Sequence, residues 1–230
     1  MNIIVTCEHG GNKIPKKYLS FFKDKKRILN THRGWDQGAL VLAKKIARDL
    51  SAPLFYSEIS RLLIDLNRSL HHPGLFSEFS KSCNATIKQE LIGSLYIPYR
   101  SEIENRIKNL TSTGKPLIHF SIHTFTPVLN GLERNADISF LYDPEKIHEK
   151  ALCDKLRTSL KNSFPDLTIR SNYPYRGNTD GFTTYLRHRF NEKIYLGIEI
   201  EINQKHIITN NPTWLMIKQR LGRFLLNNIE

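Results

Sequence analysis

The chain has 230 residues, 40% of them hydrophobic and 24% charged, enough to bury a sizeable core, and it is read as a single domain over 1–230. No apolar run is long enough to span a bilayer, which removes the helical membrane proteins from consideration. The outlying number is a formal charge of +12, from 34 Lys and Arg against 22 Asp and Glu. These basic residues are spread along the chain, with short clusters such as residues 23–27, and no nucleic-acid-binding motif accompanies them. A basic surface of this kind is either simply solvated or draws a small anionic substrate to a cleft. Cys7, Cys83 and Cys153 are odd in number and far apart, which argues against a disulfide framework or a Cys-type zinc knuckle. The first residues run into a strand without a basic and apolar leader, so a cytoplasmic protein is expected.

In chain order, Ile3-Ile4-Val5-Thr6 is a short β-branched run that reads as a buried strand, with Glu8, His9, Gly10 and Gly11 at its end. There the glycines can offer bare backbone to a ligand. Trp35-Asp36-Gln37-Gly38 precedes a helix whose apolar positions are Ala39, Leu42, Ala43, Ile46, Ala47 and Leu50, so Asp36 either caps that helix or belongs to a site. A strand is expected over 53–59, then Ser60-Arg61-Leu62-Leu63-Ile64-Asp65-Leu66-Asn67-Arg68, then an irregular flap over 69–88. A helix begins near Pro98, and residues 117–122 form a strand that delivers His123. Residues 138–142 are a strand, and 145–163 a helix with Ile147, Leu152, Leu156 and Leu160 on its apolar side. A strand near 167–170 leads to Asn172-Tyr173-Pro174-Tyr175-Arg176, and a helix follows from about Gly181. The last strand covers 194–202, and Pro212 opens a terminal helix with Trp214, Leu215, Leu221 and Leu225 apolar. This alternation predicts an α/β fold with a mostly parallel, twisted sheet flanked by helices.

Two strands thus end in histidines, His9 and His123, and Asp36 opens the helix after the first strand. If the strands are parallel, the three converge at one sheet edge, where open α/β folds bind ligands. Two imidazoles and a carboxylate with one open position form the ligand set of a catalytic zinc ion. Glu199 and Glu201 share one face of the last strand by period-2 alternation. They are either a structural pair or the proton shuttle that such a hydrolase needs.

Several stretches also resemble one known family. They are Val5-Thr6-Cys7-Glu8-His9-Gly10-Gly11-Asn12, Trp35-Asp36-Gln37-Gly38-Ala39, the 60–68 stretch, Ser121-Ile122-His123-Thr124-Phe125-Thr126-Pro127, Asn172-Tyr173-Pro174-Tyr175 and Ile198-Glu199-Ile200-Glu201-Ile202-Asn203-Gln204. In this order they resemble the N-formylglutamate amidohydrolases, specifically the branch of predicted members. One departure is Tyr96-Ile97-Pro98-Tyr99-Arg100, where the family often has histidine in place of Arg100. The resemblance implies a zinc-dependent exopeptidase-like (phosphorylase/hydrolase-like) fold and hydrolysis of a linear amide C–N bond. It implies one Zn2+ held by His9, Asp36 and His123, with Glu201 as general acid/base in preference to Glu199. The implied substrate is a small anionic N-acyl amino acid such as N-formyl-L-glutamate, giving formate and L-glutamate. Its carboxylates would meet Arg61, Arg68 and Arg176, unless Arg61 or Arg68 pairs with Asp65 instead, and Asn67 and Asn172 would either bind substrate or hold loops. The rival readings are an amidase for peptidoglycan fragments and, from another class, a basic nucleic-acid-binding protein that has lost the chemistry.

Overall fold

The computed structural model describes residues 1–229. Its strands are β1 (Asn2–Cys7), β2 (Leu54–Tyr56), β3 (Leu117–Phe125), β4 (Val128–Leu129), β5 (Leu132–Glu133), β6 (Ile138–Leu141), β7 (Ile169–Ser171) and β8 (Tyr195–Asn203). The helices are α1 (Lys26–Leu29), α2 (Ala39–Asp49), α3 (Ala85–Leu91), α4 (Ile97–Thr111), α5 (Ile147–Ser163), α6 (Phe182–Arg189), α7 (Gln204–Ile208) and α8 (Pro212–Asn228). Six strands form one sheet in the order β2-β1-β3-β8-β6-β7. The first four run parallel, whereas β6 lies antiparallel to β8 and β7 follows β6 in parallel. The sheet is therefore mostly parallel, as the alternation of elements implies.

Period-2 alternation sorts the central strands into two faces. Val5, Cys7, Ile118, Phe120, Ile122, Ile198, Ile200 and Ile202 point to one side and join the apolar faces of α2, α5 and α8. On the other side Ile4 and Leu117 pack with Ile103 and Ile107 of α4 and Phe182 and Leu186 of α6. Helices on both faces explain why all nine residues of β3 are buried. A smaller cluster, including Leu62, Leu63, Ile64, Tyr18 and Phe22, anchors the 60–68 stretch beneath the loops.

Several boundaries differ from the sequence reading, and each difference has a local cause. The expected flap over 69–88 is shorter, because the Asn84 side chain accepts from the Ile87 amide and starts α3. A π-helical turn over Ile92–Tyr96 then joins α3 to α4, so Pro98 falls in a first turn of a helix already under way. The strand expected over 53–59 forms a ladder at Leu54–Tyr56, with an isolated parallel bridge between Ile59 and Lys13 beyond it. Ile147 and Leu215 are exposed, at 72% and 40%: neither is on the buried face of its helix, which is set by Glu149, Cys153, Leu156 and Leu160 in α5 and by Trp214, Ile217, Leu221 and Leu225 in α8. No helix among the described residues is long and apolar enough to cross a membrane.

Candidate active site

Because β1, β3 and β8 are parallel neighbours, their carboxyl ends open on the same edge of the sheet. His9 lies just past β1, while β3 runs on to Phe125, so His123 sits within the strand rather than after it. The register sets His123 beside Glu201 and Ser121 beside Glu199. Asp36 comes from the chain before α2. It does not cap that helix, since the N-cap position is Gly38 at φ 81° and no side chain caps the end. Instead the Asp36 amide donates to the His9 carbonyl (3.0 Å), and its carboxylate turns toward the histidines. Gly10 and Gly11 serve close packing rather than a ligand: a Cβ on Gly11 would stand 2.5 Å from the Glu58 carbonyl oxygen.

His123 Nδ1 lies 2.9 Å from Asp36 Oδ2, and His9 Nδ1 lies 3.5 Å from the same oxygen. One donor atom each from His9, Asp36 and His123 falls within 4.8 Å of the others, and all three residues are buried. The far side of each ring is tied down. His9 Nε2 is 2.7 Å from Asp65 Oδ1, and His123 Nε2 is 2.9 Å from Ser121 Oγ and 3.2 Å from Glu8 Oε2. Such outer partners fix the ring's orientation and tautomer and leave the other nitrogen aimed inward. Three buried polar atoms here have no hydrogen-bond partner: His9 Nδ1, Glu201 Oε2 and Arg61 Nε. Buried polar atoms are normally satisfied, so this set points to a missing occupant. A cation beside two imidazoles and a carboxylate would satisfy the His9 nitrogen, and that donor set suits zinc.

The charges are strongly coupled. Burial alone would raise the pKa of Asp36, but the Arg61 guanidinium, the hydrogen bond with His123 and the nearby His9 imidazole hold it well below the usual carboxylate range. Asp65 and Glu8 are likewise held low against burial, Asp65 chiefly by His9 and Glu8 chiefly by His123. Burial would lower His123, yet Asp36 and Glu8 outweigh it and push the imidazole well above its ordinary value. Glu201 goes the other way. Burial, helped by the charges of Asp36 and Glu199, lifts its carboxyl to about 8.

The same cleft gathers most of the other residues expected from sequence. Arg61 pairs with Asp36, not with Asp65. Arg68 donates through Nη1 to the Asp180 carbonyl (2.9 Å), and Asn67 Oδ1 accepts from the Phe182 amide (2.7 Å). Arg176 lines the cleft and its guanidinium makes no hydrogen bond or ion pair among the described residues. Glu199 also lines it and accepts a hydrogen bond from the Thr183 hydroxyl. Asn172 is not brought in. At φ 50° its side-chain oxygen accepts from the Tyr142 and Gly177 amides, which makes it the brace of a turn. Sequence reasoning gave Asp65 only as an arginine's partner and passed over Ser121 beneath His123 and Tyr175 on the cleft wall. The period of β3 places Ser121 on the face of His123, the one available signal.

Comparison with known proteins identifies the family of the chain. The family model for N-formylglutamate amidohydrolase matches residues 1–208. Among solved structures, the gene product Atu2144 of Agrobacterium tumefaciens is similar at 26% identity and a TM-score of 0.82, covering 99% of this chain and 88% of that one. The N-formylglutamate amidohydrolase of Ralstonia eutropha JMP134 shares the fold at 16% identity and a TM-score of 0.73, over 99% of this chain and 92% of that one. No curated protein matches the chain. The protein is thus a hydrolase of amide C–N bonds and belongs to the N-formylglutamate amidohydrolase family.

Proposed function

We propose that the chain is a zinc-dependent amidohydrolase acting on a small anionic N-acyl amino acid, with N-formyl-L-glutamate as its substrate. The observation that carries this reading is the convergence of His9 Nδ1, Asp36 Oδ2 and His123 Nδ1 beside the unpartnered Oε2 of Glu201. His9, Asp36 and His123 would hold the ion, which when bound acidifies a water and polarises the acyl oxygen.

The protein's own groups supply the rest. Glu201 stands next to His123 across the β3–β8 register, with one oxygen free to accept a proton. As water adds to the acyl carbon, Glu201 takes its proton. The carboxyl then passes that proton to the departing nitrogen as the C–N bond breaks, giving formate and the free amine of glutamate. Burial and the charges of Asp36 and Glu199 raise the proton affinity of this carboxyl, which suits a group that takes a proton and then gives it back. Arg176 is free to fork onto a substrate carboxylate, and Arg68, engaged mainly through one nitrogen, can take the second. Arg61 is already committed to Asp36, so we assign it to holding that carboxylate in place.

Formate release from N-formyl-L-glutamate by protein purified without tag or chelator, with and without added zinc, tests the proposal. Zinc-dependent release supports it. Zinc uptake without release would overturn the substrate assignment and direct the screen to other acyl amino acids and muropeptides. Release that ignores zinc would overturn the metal.

A further inference from the structure

Arg100 is a buried charge that the chemistry above does not use. The residue is 5% exposed and forms no ion pair among the described residues. Its guanidinium carbon lies 4.3 Å from the ring centre of Phe182, 4.5 Å from Tyr185 and 4.8 Å from Tyr96, so aromatic faces surround it. A cation buried without a carboxylate is costly, and a leucine would pack between those rings at less expense. What the charge does contribute is direction. Arg100 Nη1 donates to the carbonyls of Leu66 (3.1 Å) and Arg68 (3.3 Å), and the Tyr96 hydroxyl donates to the same Arg68 carbonyl (2.7 Å).

Those carbonyls flank Asn67, and from Asn67 a chain of hydrogen bonds runs into the site. The Asn67 amide donates to Asp65 Oδ1 (2.9 Å), and that oxygen also meets His9 Nε2 (2.7 Å). On the opposite side Asn67 Oδ1 accepts from the amide of Phe182, one of the rings that encloses Arg100. The turn is therefore gripped from both sides. The side chains of Asn67 and Arg68 line the cleft, while Asp65 sets the orientation of the His9 ring.

We infer that Arg100, with Tyr96, is a positioning residue: it clamps the 65–68 turn and so holds both the His9 ligand face and the Asn67–Arg68 wall of the substrate cleft. This rests on the reading of His9 as a metal ligand, so its test needs one readout that does not depend on metal. Arg100→Lys, which keeps the charge but loses the planar guanidinium that lies against the rings and aims Nη1 at both carbonyls, and Tyr96→Phe, which deletes one hydrogen bond, are compared with wild type and with Arg100→Gln. In metal-free protein the Asn67 and Arg68 amides should exchange hydrogen faster in every variant, with helices α4 and α6 unchanged. Zinc titration should show affinity weakened by about threefold to tenfold, less than the ~10–100-fold of losing an outer-shell partner outright. KM should rise while kcat is largely held, with Arg100→Lys recovering part of the loss seen in Arg100→Gln. Unchanged exchange at 66–68 and unchanged zinc affinity in Arg100→Lys and Tyr96→Phe would overturn the clamp. If wild-type protein takes up no zinc, the metal reading fails separately, and the exchange rates still decide the clamp.

Discussion

Two of the buried clusters of charge in this molecule are completed differently. Around Arg187 and Glu149 every buried polar atom has a partner. Arg187 Nε donates to both Glu149 oxygens (2.9 and 3.0 Å), Nη1 to the Gly177 carbonyl (2.6 Å) and Nη2 to the Gly197 carbonyl (2.6 Å). Glu149 accepts in turn from the Gly197 and Asp143 amides. Since β6 pairs only with residues 199–202 of β8, these side chains take the place of a neighbouring strand at Gly197. The cluster at His9, Asp36, His123 and Glu201 is as deeply buried, yet it leaves His9 Nδ1, Arg61 Nε and Glu201 Oε2 unpartnered. A satisfied buried ion pair is architecture. The orphaned atoms at this cleft, of comparable burial, are ones that the proposed metal and substrate would partner.

Mutations should separate the two clusters. The largest effect is expected in the incomplete one: Glu201→Gln keeps the shape of the side chain but removes the proton carrier. It should lower kcat by about a hundredfold to ten-thousandfold while the melting temperature stays close to wild type. An equal loss of stability would mean that Glu201 is structural. In the complete cluster the signs reverse. Arg187→Met strands the Glu149 carboxylate and the Gly197 carbonyl and should cost about 3–5 kcal/mol in denaturant unfolding. A variant as stable as wild type would show that the pair contributes little to the fold. The smallest effect belongs to the outer partners. Asp65→Asn should weaken zinc binding by about tenfold to a hundredfold, measured by competition with a chelator, with little change in stability. Unaltered affinity would remove Asp65 from the support of His9.

How much of this was legible in sequence depended on periodicity. The runs of β1, β3 and β8 are β-branched and apolar on one face, so their burial and the common face of Glu199 and Glu201 could be read directly. Strand direction could not: Ile138–Leu141 looks the same parallel or antiparallel, and only the structure shows β6 reversed against β8. His123, Asp36 and His9 were recognisable as types at strand and helix ends, but side-chain direction was not. Asp36 was equally readable as a cap, and Asn172 as a substrate ligand, until their hydrogen bonds placed one at the histidines and the other in a turn. Asp65 escaped notice as a support because its partner His9 lies 56 residues away, a contact that only tertiary packing creates, whereas the period of β3 already placed Ser121 beside His123.

Calorimetric titration of zinc into metal-free protein, run on wild type and on His123→Ala, addresses the incomplete cluster most directly. Wild type should take up one ion per chain, and His123→Ala should take up none at the same concentrations while keeping the circular dichroism of the folded protein. A wild-type protein that binds no zinc, or a His123→Ala variant that binds it fully, would contradict the assignment of His9, Asp36 and His123 as a metal site.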